Sequence, residues 1–319
     1  MLQEYKFLDI KDYRKLKFLG KGTFSNVFRI QEKATGNIFA AKILQDFYGD
    51  EEGKAQKLIE RMKIESSSYS RLNFPSITKF YGVCSRDFED EPYPSLILEY
   101  IPNGTLNDLF AKSSKGEPLP PEWNSTKVLI NIYGIAAGMS YLHSKDVLYR
   151  DLKLLNILED ENYYPKMTDF GVSKIILDIN QDNSIGVGSP LYMAPEILNG
   201  DQKYTKSIDV YSFAICVYQL IAKTNPFSYL KGNMTPQRFM AMIKKGDRSK
   251  FNANVPKCYQ ELITKCWSQD PENRPTFPQI VEMLKTNREF VTELNVDEEE
   301  FHEYIDIIEG RKPYPTSDI

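Results

Sequence analysis

Apolar positions in the first hundred residues come in short runs. Within residues 13–44 these are "KLKFLG", "SNVFRI" and "NIFAAKIL", with Gly20, Gly22 and the "ATGN" stretch as turns between them. Such runs bounded by turn residues predict strands. Residues 51–72 change period and predict a helix with Leu58, Met62, Ile64 and Tyr69 on or near one side. "ITKFYGVCS" and "YPSLILEY" predict two more strands, and "IPNGT" at 101–105 breaks the pattern. Beyond the break the period is helical. Thr105 is a cap candidate before "LNDLFAK", and "KSSKGEPLPPEWNS" is a Pro- and Ser-rich loop. "TKVLINIYGIAAGMSYLHSK" (126–145) predicts a long apolar helix. Residues 169–196 carry few periodic signals, and helices are expected at 209–222, 234–245, 260–268 and 277–294. The fold class is therefore α+β. A small strand-rich lobe (13–100) precedes a larger helical one (101–290), followed by an acidic tail (291–319). In that tail Phe301, Ile305 and Ile308 sit at helical spacing among many acids. Docking on the large lobe or on another protein is the alternative, and a solvated helix or a disordered end is the expectation.

Composition narrows the function classes. A chain of 319 residues is one large domain or two lobes and can bury a substantial core. Hydrophobic residues at 41% and charged residues at 26% are ordinary for a soluble globular protein. A net charge of −4 leaves no electrostatic footprint for nucleic acid or an anionic membrane. Cys84, Cys216, Cys258 and Cys266 are scattered, and His143 and His302 are the only histidines, so a Cys/His zinc site is disfavoured. This cysteine usage fits a reducing compartment. The start, "MLQEYKFLDIKDYRK", has no apolar signal region, and cytoplasmic placement is the expectation. "VYSFAICVYQLIA" (210–222) is too short to span a bilayer and reads as a buried helix.

Candidate chemistry is densest in "VLYRDLKLLNIL" (147–158), where Arg150, Asp151, Lys153 and Asn156 interrupt an apolar run. Such groups are costly to bury unless each finds a partner. Upstream, Gly20 and Gly22 lie between two predicted strands, where backbone N–H groups can approach a phosphate chain. The spacing is neither a Walker loop nor a dinucleotide fingerprint, because a strand follows the glycines. Lys42 in "AAKIL" has apolar neighbours and would need an anion if semi-buried. Asp169 of "TDFGVSK" and Asn156 offer two oxygens suited to Mg²⁺, which binds few protein oxygens and keeps room for phosphates and water. Asp151 is then available to take a proton from a hydroxyl. Lys153 could steady phosphoryl charge. Singly, each residue has a plainer reading as turn, cap or solvated side chain. Together, in this order, the plainer readings lose.

"GKGTFSNV", "AAKIL", "YRDLKLLN", "DFG", "APE" (194–196) and "DPENRP" (270–275) run in this order from residue 13 to about 290. In these motifs the chain resembles a eukaryotic protein kinase catalytic domain. The resemblance implies the two-lobed kinase fold, ATP and Mg²⁺ as cofactors, and protein substrates. It makes Lys42 the residue on the α- and β-phosphates, paired with a helix glutamate. Glu60 and Glu65 are candidates, and Glu65 is chosen because it lies nine residues before Phe74-Pro75. Asp151 would be the catalytic base, Lys153 its phosphate-contacting neighbour, and Asn156 and Asp169 the metal ligands. Leu98 fits the gatekeeper position. Backbone groups of Glu99 and Ile101 would bond adenine, with Leu19, Val27, Ala40 and Leu158 around the ring and Gly20 and Gly22 over the phosphates. Arg150 would receive a phosphorylated activation segment, Glu196 would pair with Arg274, and Asp209 would hold the catalytic-loop backbone. Tyr149, Phe170, Tyr69 and Phe80 would stack into the column that aligns the lobes. Three departures stand out: Ser25 for the third loop glycine, Tyr149 for the usual His, and "DVYSFA" for the usual "DVWSFG". None removes a chemical group, which argues against a pseudokinase scaffold.

Lys153 and "GSPLYMAPE" (188–196) resemble serine/threonine kinases, with Ser189 bonding Asp151 and Lys153 beside the acceptor. "FYGVC" and "CWSQDPENRPTF" resemble the tyrosine-kinase-like branch of that class, which keeps dual specificity as the alternative. Thr105 stands where kinases preferring basic residues before the acceptor often carry an acid, so that preference has no support. Of Ser173, Ser184 and Ser189, Ser184 lies about twelve residues before Glu196. Its phosphorylation, by an upstream kinase for example, is expected to pair with Arg150 and Lys174 and order the loop.

Overall fold

The computed structural model describes residues 5–22, 24–45, 54–171, 173–175, 190–201, 205–230 and 235–315. The short apolar runs of the first hundred residues pair into one antiparallel sheet of five strands. β1 (Tyr13–Gly22) and β2 (Ser25–Glu32) form a hairpin, and β3 (Ile38–Leu44) lies beside β2. β5 (Ser95–Glu99) runs between β3 and β4 (Phe80–Cys84). Directly opposed residues in such a sheet, and every second residue along a strand, share a face. Val27 lies opposite both Gly20 and Lys42, and Ala40 lies opposite Leu98. Gly20, Val27, Ala40, Lys42 and Leu98 therefore share one face. On the other face Ile30, Ala41 and Ile97 close with Ile10, Tyr13 and Cys84 into a small separate core.

The segment before β1 protects the sheet edge, where unpaired backbone would otherwise template aggregation. Leu8 N–H donates to Val83 O, and Val83 N–H donates to Lys6 O, at 2.8 and 2.9 Å. Gly82 permits this approach, since a Cβ there would sit 2.5 Å from the Lys6 carbonyl oxygen.

Helix α1 (Lys54–Tyr69) corrects one expectation. Ile64 is 50% exposed, whereas Leu58, Met62, Glu65 and Tyr69 are buried. At 3.6 residues per turn, positions 58, 62, 65 and 69 form one stripe and 64 falls about 120° away. A carboxylate thus occupies a slot that an apolar residue would normally fill.

The helical lobe follows the predicted periodicities. Thr105 caps α2 (Leu106–Lys115) in a reciprocal capping box with Asp108. α3 (Ser125–Ser144) and α5 (Ser207–Ala222) are buried along nearly their whole length. Between them two short antiparallel strand pairs form: the hairpin of β7 (Ile157–Glu159) and β8 (Pro165–Met167), and β6 (Val147–Leu148) with β9 (Lys174–Ile175), which lie on either side of it in the chain. α4 (Pro195–Asn199), α6 (Pro236–Lys245) and α7 (Lys257–Cys266) complete the outer layer. The helix expected over 277–294 is two, α8 (Phe277–Thr286) and α9 (Glu289–Thr292). Asn287 is extended there, and its side chain accepts from Glu289 N–H at 3.0 Å, competing with the helical bond. All four cysteines are buried free thiols, and no described helix is long and apolar enough to cross a membrane.

The tail is where the structure differs most from expectation. α10 (Glu298–Ile308) is not solvated: Phe301, Tyr304, Ile305 and Ile307 are buried against the helical lobe. Phe301 meets the Tyr133 ring edge-on at 5.6 Å, and Tyr304 lies 4.6 Å from the Tyr164 ring. Lys127 on α3 pairs with Glu300, and Asp297 caps the helix while its own N–H donates to Thr126 Oγ1. Gly134 makes room, since a Cβ there would lie 2.3 Å from the Tyr304 hydroxyl. Past the helix, the Tyr314 hydroxyl donates to Asp160 Oδ2 at 2.6 Å.

Glu159 is buried beneath this interface. Asn131 Nδ2 donates to its Oε2 at 3.3 Å, and its Oε1 has no partner among the described residues. Burial pushes its carboxyl well above the ordinary range, which Asn131 only partly offsets. The native state thus holds a proton that the unfolded chain releases from about pH 4.3 upward. This contribution favours folding at low pH and is lost as pH rises, at up to about 1.4 kcal/mol per unit. Glu159→Gln is expected to remove that slope and to be relatively more stabilising at pH 8 than at pH 5 in urea unfolding. Parallel slopes for the two proteins would refute the assignment.

Candidate active site

The exposed-strand reading of Lys42 fails and the semi-buried one holds. Its Nζ lies 2.6 Å from Glu65 Oε1 and 2.8 Å from Asp169 Oδ1. β3 supplies the lysine and α1 the glutamate, while the aspartate follows β8. Glu60, the other candidate, is exposed and bonded by Gln56. Burial opposes charge on Lys42, but the Asp169 and Glu65 carboxylates outweigh it and hold the ammonium above its ordinary pKa. Lys42, and against it burial, act on Asp169, whose carboxyl is held below its usual range. The pair is ionised at neutral pH.

The second constellation is the loop between β6 and β7. Asp151 Oδ2 accepts from Lys153 Nζ at 2.6 Å and from Asn156 Nδ2 at 2.9 Å. Asn156 Nδ2 also donates to the Asp151 carbonyl, and Asn156 O accepts from Thr168 N–H at 3.0 Å. The last bond ties this loop to the residue before Asp169. Arg150 and Asp169 both have left-handed backbone, with φ of 64° and 62°. For non-glycine residues this costs about 1–3 kcal/mol and persists only where the surroundings impose it. At Arg150 the restraint is Asp209 of α5, whose Oδ1 accepts Arg150 N–H at 2.8 Å and whose Oδ2 accepts Tyr149 N–H at 3.0 Å. His143 Nε2 lies 2.9 Å from the same Oδ2. Asp209 therefore occupies the apolar helix because it satisfies two backbone donors.

Farther from the cleft, Glu196 and Arg274 form a buried two-pronged bridge with contacts of 2.6 and 2.9 Å. The aromatic column is also assembled. Tyr69 stacks on Phe80 at 5.7 Å and meets Phe170 edge-on at 4.7 Å, and Tyr149 meets Phe170 at 5.2 Å.

The sheet face carrying Gly20, Val27, Ala40, Lys42 and Leu98 forms the roof of the cleft. Leu98 and Ile101 are buried, Val27 and Leu158 are half-buried, and Leu19 is exposed. Ser25, in the place of a third loop glycine, is buried, and a Cβ on Gly22 would lie 2.9 Å from its hydroxyl. Glu99 is fixed from its side chain, which pairs with Lys166 at 3.1 Å and accepts from Lys79 N–H at 3.0 Å. Lys166 also sits 4.1 Å beneath the Tyr314 ring, so the tail reaches the segment joining the lobes. The sequence reading missed Lys166 and His143. A lysine in a short buried strand was the available signal for the first.

Ser184 and Ser189 lie outside the described residues. Ser173 is buried, with its hydroxyl on Phe170 O and Ser68 Oγ. Arg150 is half-buried.

Asp169 presents a half-exposed carboxylate, and Asn156 an amide whose nitrogen is turned toward Asp151. One carboxylate and one amide oxygen suit Mg²⁺ if phosphates and water supply the remaining ligands. No cluster of three or more His, Cys, Asp or Glu able to hold a metal by itself exists among the described residues. The donor set fits a metal that arrives with a nucleotide.

This fold and site define a protein kinase. The protein kinase domain family matches residues 13–284, and the chain belongs to it. It is similar to drkC of Dictyostelium discoideum, at 33% identity over 289 residues, covering 89% of this chain and 36% of drkC. It is also similar to the serine/threonine-protein kinase CTR1 of Arabidopsis thaliana, at 31% over 272 residues, 84% of this chain and 30% of CTR1. A third relative is the Arabidopsis serine/threonine/tyrosine-protein kinase HT1, at 34% over 238 residues, 74% of this chain and 57% of HT1. The likeness to CTR1 and HT1 places the domain with tyrosine-kinase-like serine/threonine kinases. The chain spans about a third of the length of drkC and CTR1.

Proposed function

We propose that this chain transfers the γ-phosphoryl group of ATP to serine and threonine hydroxyls of protein substrates, with Mg²⁺. The observation that carries the reading is the closed Lys42–Glu65–Asp169 set beside an intact Asp151–Lys153–Asn156 loop. Lys42 grips the α- and β-phosphates and is aimed by Glu65. Gly20 and Gly22 let the hairpin backbone lie close over them. Backbone groups of Glu99 and Ile101 hold adenine, and Leu19, Val27, Ala40, Leu98 and Leu158 enclose it. Asn156 and Asp169 hold the metal, which when bound neutralises phosphate charge. Asp151 accepts the proton of the incoming hydroxyl, and Lys153 stabilises charge on the group in transit. The protein's work is positioning and charge neutralisation.

Radiolabelled ATP with Mg²⁺ and a generic protein substrate tests this reading. Incorporation as phosphoserine and phosphothreonine is expected, and none from the wild-type chain would refute it. Dual specificity is the second reading, favoured by the likeness to HT1, and phosphotyrosine in the same hydrolysate would establish it. Switching by phosphate on Ser184, paired with Arg150 and set by an upstream kinase, belongs to the first reading. Full activation of Ser184→Ala would remove that part.

A further inference from the structure

The peptide unit joining Thr168 to Asp169 is gripped at both ends by tyrosine hydroxyls. Tyr149, from the catalytic loop, donates its hydroxyl to Thr168 O. At the other end Asp169 N–H donates to the Tyr69 hydroxyl oxygen at 3.1 Å. Tyr69 belongs to α1, in the opposite lobe. Its hydroxyl also lies 3.1 Å from Thr168 Oγ1. Either hydroxyl can donate in that contact, and in both cases the Tyr69 oxygen keeps a lone pair for Asp169 N–H.

Asp169 needs such a restraint. It has left-handed backbone, and its carboxylate must face Lys42 and the metal together. Rotating the 168–169 peptide would swing that carboxylate away and displace Phe170 from the aromatic column. At Arg150, the other left-handed residue of the site, a buried Asp209 oxygen captures the strained N–H. At Asp169 the acceptor comes instead from α1, in the other lobe. The ring of Tyr69 explains the stacking on Phe80 and Phe170, but stacking requires no hydroxyl.

We propose that the Tyr69 hydroxyl is a positioning group for phosphoryl transfer: it fastens the Asp169 backbone to α1, so that the metal-binding aspartate is correctly set only when α1 is docked. The inference rests on the kinase reading above. It places Tyr69 one step from the chemistry, acting through Asp169.

Tyr69→Phe keeps the ring and removes the latch. Amide hydrogen exchange of the nucleotide-free protein is expected to show protection at Asp169 N–H falling on the order of tenfold, the size of one buried donor losing its acceptor. In the assay, the Mg²⁺ concentration for half-maximal rate should rise and kcat fall by a similar factor, with KM for the protein substrate unchanged. Tyr218→Phe, which removes a hydroxyl on Ser249 and Lys250 O far from the cleft, is the matched control and should change neither readout. Wild-type protection and wild-type Mg²⁺ dependence in Tyr69→Phe would overturn the proposal. If that variant does not fold, Thr168→Val removes the hydroxyl that orients the Tyr69 phenol toward Asp169 N–H, and the same two readouts decide. The exchange measurement uses no substrate, so its outcome stands even if the wild-type chain transfers no phosphate. Wild-type inactivity alone would sink the kinase reading.

Discussion

Asp151→Asn is expected to lower kcat by about 10²–10⁴-fold, the range general base catalysis supplies. Nucleotide affinity should stay close to the wild-type value, because the bonds of Asp151 run to Lys153 and Asn156 and not to Lys42, the glycine hairpin or the residues assigned to adenine, and an amide oxygen keeps those bonds. The local geometry explains why the change is severe despite its small size. Lys153 Nζ and Asn156 Nδ2 both donate to one carboxylate oxygen of Asp151. An amide must keep its own oxygen on those donors and turn its nitrogen outward. A donor then stands where the incoming hydroxyl needs an acceptor. Steady-state kinetics with an independent nucleotide titration measures both quantities. A kcat near the wild-type value would exclude Asp151 as the base, and equal losses of kcat and nucleotide binding would point to a collapsed loop.

Much of this site is legible in the sequence because its residues break local rules. Lys42 sits among apolar strand residues, and Asp209 interrupts a helix that is otherwise buried. Each of these misfits is resolved by one specific partner in the structure: Glu65 and Asp169 for Lys42, the Tyr149 and Arg150 amides for Asp209. Period alone misjudges Ile64, because Glu65 holds the buried slot beside it. Hydroxyl geometry is invisible at that level. A tyrosine in the aromatic column reads the same whether its oxygen is idle or holds Asp169. Long-range pairs such as Lys166 with Glu99 are legible only by half: a lysine in a short buried strand calls for an anion, but nothing in the sequence says which one.

The tail itself was misjudged from its acids, yet α3 carried the contrary signal. A helix apolar on every side must be covered on every side. α10 covers one side of it, with Glu298, Glu299 and Glu303 exposed, Glu300 paired with Lys127 of α3, and Phe301, Tyr304 and Ile305 buried. Phe301→Ala is therefore expected to destabilise the protein by about 3–5 kcal/mol, the cost of truncating a fully buried aromatic. His302→Ala, one position along and exposed, should change stability by no more than about 0.5 kcal/mol. Chemical denaturation of both variants decides the matter: a solvated tail predicts that they behave alike. The same interface can be tested from α3, where Gly134→Ala sets a methyl group against the Tyr304 hydroxyl and Pro165. If α10 is docked in solution, that substitution loses part of its penalty once Phe301 has been truncated, because both act on one contact and neighbouring changes do not add.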